Sequence, residues 1–237
     1  MFDVLKILYN SKYAKLLWFK WWTALYFFYE LDRFSVDLDF DIIKKLSLEE
    51  IWELKQELFI FLNQQFSYNK NIKLSIDWNL KNSFRFVLQY WWIKKLKLEF
   101  TSRIYDNRYE SKRLFGLNVQ VMQKEYMFAH KLCAFVSRYK QKELFVNRDL
   151  FDINYFLNLG ILPNEKILQI RSIKLIWYST NTKDFYKYIY ELILHNKQRI
   201  NANILDGLWE LVDEKKKFYM KNIFVDELLW LLEFSQK

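Results

Sequence analysis

The stretch "FKWWTALYFFYELDRFSVDLDF", residues 19–40, decides how the chain is read. Its last third alternates polar and apolar residues, so "SVDLDFDII" (35–43) reads as a half-buried strand. Asp37 and Asp39 then project from one face, because side chains two apart on a strand share a side. Two such carboxylates can hold Mg²⁺, which takes one or two protein carboxylates and fills its shell with phosphate oxygens and water. Asp41 continues the alternation, either as an extra ligand or as the exposed end of the strand. The middle of the stretch, Thr23 to Leu31, reads as a short apolar helix.

Working outward, "SLEEIWELKQELFIFLNQQF" (47–66) is an amphipathic helix with Ser47 as N-cap and acidic residues in its first turn. Three alternating runs follow, "NIKLSIDW" (71–78), "SFRFVLQYW" (83–91) and "KKLKLEFTSRI" (94–104), spaced as a meander. Glu99 in the third run is flanked by apolar residues and is the best candidate for a third carboxylate beside the aspartate pair. From about Met122 the period becomes helical: "VMQKEYMFAHKLCAFVSRYKQK" (121–142), then "RDLFDINYFLNLG" (148–160), stopped by Gly160. Further helices are expected over 164–174, 182–196 and 198–235. The fold class is therefore α+β. An N-terminal mixed sheet with flanking helices is expected over 1–118, and a helical C-terminal domain over 119–237.

Composition narrows the function classes. The longest apolar candidate span, 16–31, contains Lys20 and Glu30 and is too short to cross a bilayer. The start "MFDVLKILYN" carries an early Asp and no small-residue cleavage site, so no signal peptide is expected. The lone Cys133 excludes an internal disulfide and fits a reducing cytoplasm. His130 and His195 lie too far apart to begin a zinc site. The net charge of +9, from 37 basic and 28 acidic residues, suits a polyanion such as RNA or a nucleoside triphosphate, or equally a lysine-rich solvated surface.

Two residue counts stand out. Average usage would give roughly 17 glycines in a chain of this length, and there are three, against ten tryptophans. A general bias toward AT-rich codons explains few glycines but not many tryptophans, whose ordinary codon is UGG.

Nucleotidyltransferases of the polymerase-beta type place glycines at a helix start about a dozen residues before a D-x-D strand. A side chain at those glycines would stand where the triphosphate meets the backbone. Trp21, Trp22 and Thr23 occupy that slot, Thr23 lying 14 residues before Asp37. The whole run "F-K-x-x-T-A-L-Y-F-F-Y-x-L-x-R-F-S-V-D-L-D-F" resembles the first motif of the AbiEii/AbiGii-type nucleotidyltransferase toxins, in which x-x is Gly-Gly. "KLKLEF" (95–100) resembles the second motif, "FAHKLCAFVSR" (128–138) the third and "RDLFDINYFL" (148–157) the fourth, R-D-x-x-D. The tail "DGLWELVDEKKKFY" (206–219) is similar too, with Gly common at position 209.

The resemblance implies an Mg²⁺-dependent transfer of a nucleotide from a nucleoside triphosphate to an acceptor, with tRNA in view. It also implies a toxin of an abortive-infection toxin–antitoxin system with its antitoxin encoded nearby. It matches Asp37 and Asp39 to the metal-binding pair; Glu99 stays the strand reading's own candidate for a further metal ligand. Lys131 corresponds to a cation on the phosphates, Asp152 to an acid needed for activity, and Trp21, Trp22, Thr23, Arg33 and Ser35 to the nucleotide-binding segment. Asp149 shares the helix face of Asp152. Two alternatives stand beside this: a degenerate transferase fold that binds RNA or protein, and a transferase with a small-molecule acceptor.

Tryptophan falls where such proteins prefer glycine at 18, 21, 22 and 209, and also at 91 and 92 in a strand-to-strand corner. Some bacterial lineages read UGA as glycine and others as tryptophan, so a gene of the first kind read by the second code would give this pattern. Trp52, on an amphipathic helix, reads as genuine. As written, the paired indoles at 21 and 22 are expected to obstruct the triphosphate pocket.

Overall fold

In the computed structural model the alternating run around "DLDF" forms a strand, β2 (Asp37–Ile42), at the centre of a seven-stranded sheet. The structure describes residues 1–35, 37–80, 83–90, 94–102, 105–177 and 180–236. They fall into two compact units, Met1–Met122 and Gln123–Lys237. The strand that ends the first unit runs through residue 118, where the sequence reading set its border.

The first unit begins with α1 (Phe2–Tyr9) and β1 (Leu17–Lys20), which leads directly into α2 (Trp21–Phe28). After β2 comes α3 (Leu48–Phe66), whose start is fixed by a capping box. The Ser47 hydroxyl accepts from the Glu50 N–H at 3.2 Å, and the Glu50 carboxylate accepts from the Ser47 N–H at 2.8 Å. The meander is β3 (Ile72–Leu80), β4 (Ser83–Tyr90) and β5 (Lys94–Thr101). A final hairpin adds β6 (Tyr109–Leu114) and β7 (Leu117–Met122). Spatial order is β3-β4-β5-β2-β1-β7-β6, with β2 parallel to β5, β1 parallel to β7 and the other pairs antiparallel.

Strict alternation gives the sheet two chemically different faces. On β2, β4 and β5 the buried apolar face is made by even-numbered residues: Leu38 and Phe40, Phe84 and Phe86, Leu98 and Phe100. Ring contacts run across the strands, Phe19–Phe40 at 5.4 Å, Phe40–Phe100 at 5.2 Å and Phe100–Phe84 at 5.0 Å between centroids. Phe59 of α3 meets Phe86 at 5.6 Å, so this helix covers the aromatic face. Burying each such ring contributes about 1.5–3 kcal/mol. The odd-numbered residues carry the charges, and there the candidate site lies.

The second unit is helical: α4 (Lys124–Lys142), α5 (Asn147–Asn158), α6 (Glu165–Ile176), α7 (Thr182–His195), α8 (Lys197–Ala202), α9 (Glu214–Asn222) and α10 (Phe224–Phe234). The stretch read from sequence as helix over 198–235 is broken into three. α8 ends at Ala202 with Asn203 as its cap, the chain then passes through turns that include Gly207 at φ +71, and Asp213 starts α9 by accepting from the Lys216 N–H at 2.9 Å. Gly160 closes α5 in the left-handed conformation, φ +64.

Candidate active site

Register across four strands assembles the first cluster. Arg85 on β4 pairs with Glu99 on β5, Glu99 with Asp39 on β2, and Asp39 with Lys20 on β1. Two carboxylates thus sit side by side between two cations. Asp37 lies one step along the same face of β2, opposite Lys97.

The outer members are engaged. Arg85 donates to Glu99 at 3.0 Å and to Asp77 at 3.2 Å. Lys20 donates to Asp41 at 2.6 Å, and the Tyr109 hydroxyl donates to the other Asp41 oxygen. Asp41 is buried, so it is not the exposed strand end that one sequence reading allowed. Its position is explained by Lys20 and Tyr109, which come from other strands. Burial and the facing Asp41 carboxylate push the Tyr109 hydroxyl well above its ordinary pKa, so it stays a proton donor.

Asp37 and Asp39 are different. Asp37 Oδ1 is buried and makes no hydrogen bond. Burial lifts the Asp39 carboxyl to about 7; Glu99 and Asp37 add to the rise, and Lys20 and Arg85 oppose it. An unpartnered buried oxygen beside a carboxyl that resists ionisation is a place where a cation would be favoured. Among the described residues no group of three His, Cys, Asp or Glu side chains is placed to hold a metal ion. The Asp37–Asp39 pair alone fits Mg²⁺, which needs no more than two protein carboxylates. Glu99, the expected third ligand, is turned to Arg85.

The nucleotide-binding candidates surround β2 from its N-terminal side. Thr23 on α2 is fully buried, and its hydroxyl donates to the Asp37 carbonyl. Arg33 is buried, donates to the Phe34 carbonyl at 3.1 Å and lies with its guanidinium 5.2 Å from the Trp22 ring centroid. Ser35 is buried as well. The Trp21 and Trp22 rings lie 5.7 Å apart at 34°. Trp91 and Trp92 lie outside the described residues.

The second cluster lies within the helical unit. Lys131 of α4 is wholly buried, its ammonium 2.5 Å from Asp149 and 3.1 Å from Asp152 of α5. The i, i+3 spacing puts both carboxylates on one helix face. Arg138 binds the second oxygen of Asp149. Burial pushes the Asp149 carboxyl up, but Lys131 and Arg138 outweigh it and leave the group below its ordinary value. His130 contacts Arg171 at 2.6 Å.

Sequence reading did not single out Arg85, Lys20 or Tyr109. Arg85 had a signal, a cation inside an otherwise apolar alternation. Tyr109 had none, since only the pairing of distant strands brings it to Asp41.

Comparison with known proteins gives two results. Among solved structures the chain is similar to JHP933 from Helicobacter pylori, with 21% identity, a TM-score of 0.51, 99% of this chain and 91% of that one covered. It is also similar to MenT4, a nucleotidyltransferase toxin from Mycobacterium tuberculosis H37Rv, with 15% identity, a TM-score of 0.50, and 97% and 86% covered. At these identities the likeness is one of fold. No match was found among curated proteins. The family described as nucleotidyl transferase AbiEii toxin, type IV toxin–antitoxin system, matches residues 3–232. The chain, matched over nearly its whole length, belongs to the AbiEii family of nucleotidyltransferase toxins.

Proposed function

We propose that the reaction is transfer of a nucleotide from a nucleoside triphosphate to an RNA acceptor, tRNA foremost, at Asp37 and Asp39 with Mg²⁺. The observation that carries this reading is the unpartnered, buried Asp37 Oδ1 beside Asp39 on one strand face. When bound there, the metal would neutralise phosphate charge and favour ionisation of the acceptor hydroxyl.

The chain's own residues supply the rest. The Thr23 hydroxyl fixes the Asp37 backbone, and thereby the direction of its carboxylate. Lys20 is engaged by Asp41, whose other oxygen accepts from Tyr109, and Arg85 is engaged by Glu99 and Asp77. The aspartate pair is therefore flanked by positive charge without being consumed by it. A triphosphate, itself an anion, gains from that field. For Lys131 and Asp152 we retain the proposed parts in phosphate contact and activity; their first physical effect is to balance charge inside the helical unit. The net charge of +9 supports an RNA acceptor.

A cognate antitoxin encoded nearby follows from membership of a toxin–antitoxin family. No helix among the described residues is long and apolar enough to cross a membrane, and with the single cysteine this supports a cytoplasmic site of action.

The second reading, a degenerate transferase that only binds RNA or protein, is favoured by one observation: paired indoles at the start of α2, next to the segment that positions Asp37. Equilibrium dialysis against each labelled nucleoside triphosphate, with Mg²⁺ and with a chelator, separates the two. Binding that requires Mg²⁺ and is lost in Asp37→Asn is expected of the enzyme. Binding that ignores Mg²⁺, or none at all, would leave only the degenerate reading.

A further inference from the structure

Two tryptophans adopt a backbone conformation that suits glycine. Trp21 has φ +66° and Trp177 has φ +69°. In this region the Cβ of an L-residue crowds its own following carbonyl, which glycine avoids by having none. For a bulky residue such a φ is an outlier.

Both positions have a structural reason to be left-handed. Lys20 ends β1 fully extended at φ −142° and ψ 174°, and Trp21 is the first residue of α2. The chain therefore turns from strand to helix with no loop, and residue 21 absorbs the turn. Trp177 closes α6 at φ 69° and ψ 1°, the left-handed cap that glycine supplies at many helix ends. Gly160 does the same just beyond α5, at φ +64°.

The indole at 177 gains nothing from its place. It is 87% exposed, although tryptophan owes its contribution to a ring that buries on the order of 150–250 Å². Glu30, Phe115 and Glu143 also have positive φ, so left-handed backbone alone does not mark a misread residue. The concentration does. Trp21 and Trp177 are two of the eight tryptophans within the described residues, whereas those three are drawn from all other types. Glycine, the residue both positions suit, is the scarce one, at three against ten tryptophans.

We infer that positions 21 and 177 are glycine in the protein as its own cell makes it, each encoded by UGA in a lineage that reads UGA as glycine. The tryptophans in the sequence then come from reading those codons by a code in which UGA is tryptophan. This rests on backbone geometry and composition and does not depend on the proposed reaction. Position 177 lies in the helical unit, in none of the segments that resemble a family motif.

The consequence at the candidate site is local. With glycine at 21, the indole that lies 5.7 Å from the Trp22 ring at 34° and 5.7 Å from the Lys20 ammonium is absent. Backbone takes its place at the start of α2.

The coding DNA tests the inference directly. UGA at both 21 and 177 is expected, and UGG at either overturns it. A second measurement uses the chain as written. Trp177→Gly, by relieving the left-handed side chain, should raise the midpoint of thermal unfolding by ~2–4 °C. Trp177→Ala, which keeps a Cβ at the same φ, should not. A lower midpoint for Trp177→Gly, or an equal gain for Trp177→Ala, would count against a glycine position.

Discussion

Replacing Lys131 by methionine removes a cation whose surroundings are fully specified. Its ammonium is wholly buried between Asp149 at 2.5 Å and Asp152 at 3.1 Å, and the side chain of Asp152 is itself 0% exposed. Methionine fills a similar volume, so the loss is chiefly one of charge. Breaking a buried ion pair from one side costs about 3–5 kcal/mol, because the remaining charge stays buried. Asp149 keeps Arg138, which moderates its share of the penalty. At ~2–4 °C per kcal/mol for a chain of this size, the midpoint of thermal unfolding should fall by about 6–20 °C. The check is far-UV circular dichroism on Lys131→Met, on Asp152→Asn and on the double variant. Residues in one charge network couple by about 0.5–3 kcal/mol, so the double variant should be more stable than the summed single losses require. A loss below about 1 kcal/mol for Lys131→Met, or simple addition of the two losses, would refute the account of this cluster.

Three further outcomes follow from the same reasoning. Ser47→Ala removes the hydroxyl that accepts from the Glu50 N–H at the start of α3, and a denaturant titration should register a loss of about 1 kcal/mol. Asp39 titrates in the folded chain at about 7, above its ordinary 3.8, so the folded state binds the extra proton between these values. In the presence of a chelator its contribution to stability falls as pH rises through that window. Asp39→Asn should therefore be the more stable protein at about pH 8, an advantage that disappears near pH 4. Asp149 has the opposite sign: its folded value lies below the ordinary one, so its contribution is present at neutral pH and lost as pH falls through the folded value. Asp149→Asn should accordingly cost most at neutral pH and progressively less in acid, as read by denaturation at a series of pH values.

What could be read from sequence divides along physical lines. The meander, β2 and α3 were legible because their patterns are local: alternation in the strands, and a serine three residues before a glutamate at the helix start. β1 was not, since four residues inside a long apolar run carry no period of their own. β6, "YESKRL", is a half-exposed edge strand rich in charge, which hides alternation. The broken end of the chain is hidden because amphipathic spacing continues across residues 203–213, while the first break depends on the turns that follow Asn203 and on the Asp213 cap.

The site followed the same rule. Asp37 and Asp39 are visible as a pair because a strand has period two. That Asp39 neighbours Glu99 and Lys20, and that Glu99 is tied to Arg85, depends on register between strands distant in sequence. Asp41 shows the cost of that gap. Its pattern position suggested a ligand or a strand end, and only the sheet brings Lys20 and Tyr109 to it.

The most direct measurement is label transfer from an α-labelled nucleoside triphosphate to total tRNA with Mg²⁺, by the chain carrying Trp21→Gly and Trp22→Gly. Labelled RNA is predicted, with transfer lost on adding Asp39→Asn to that chain. Absence of label with any of the four nucleotides, or transfer that survives Asp39→Asn, would contradict the assignment of catalysis to the Asp37–Asp39 face.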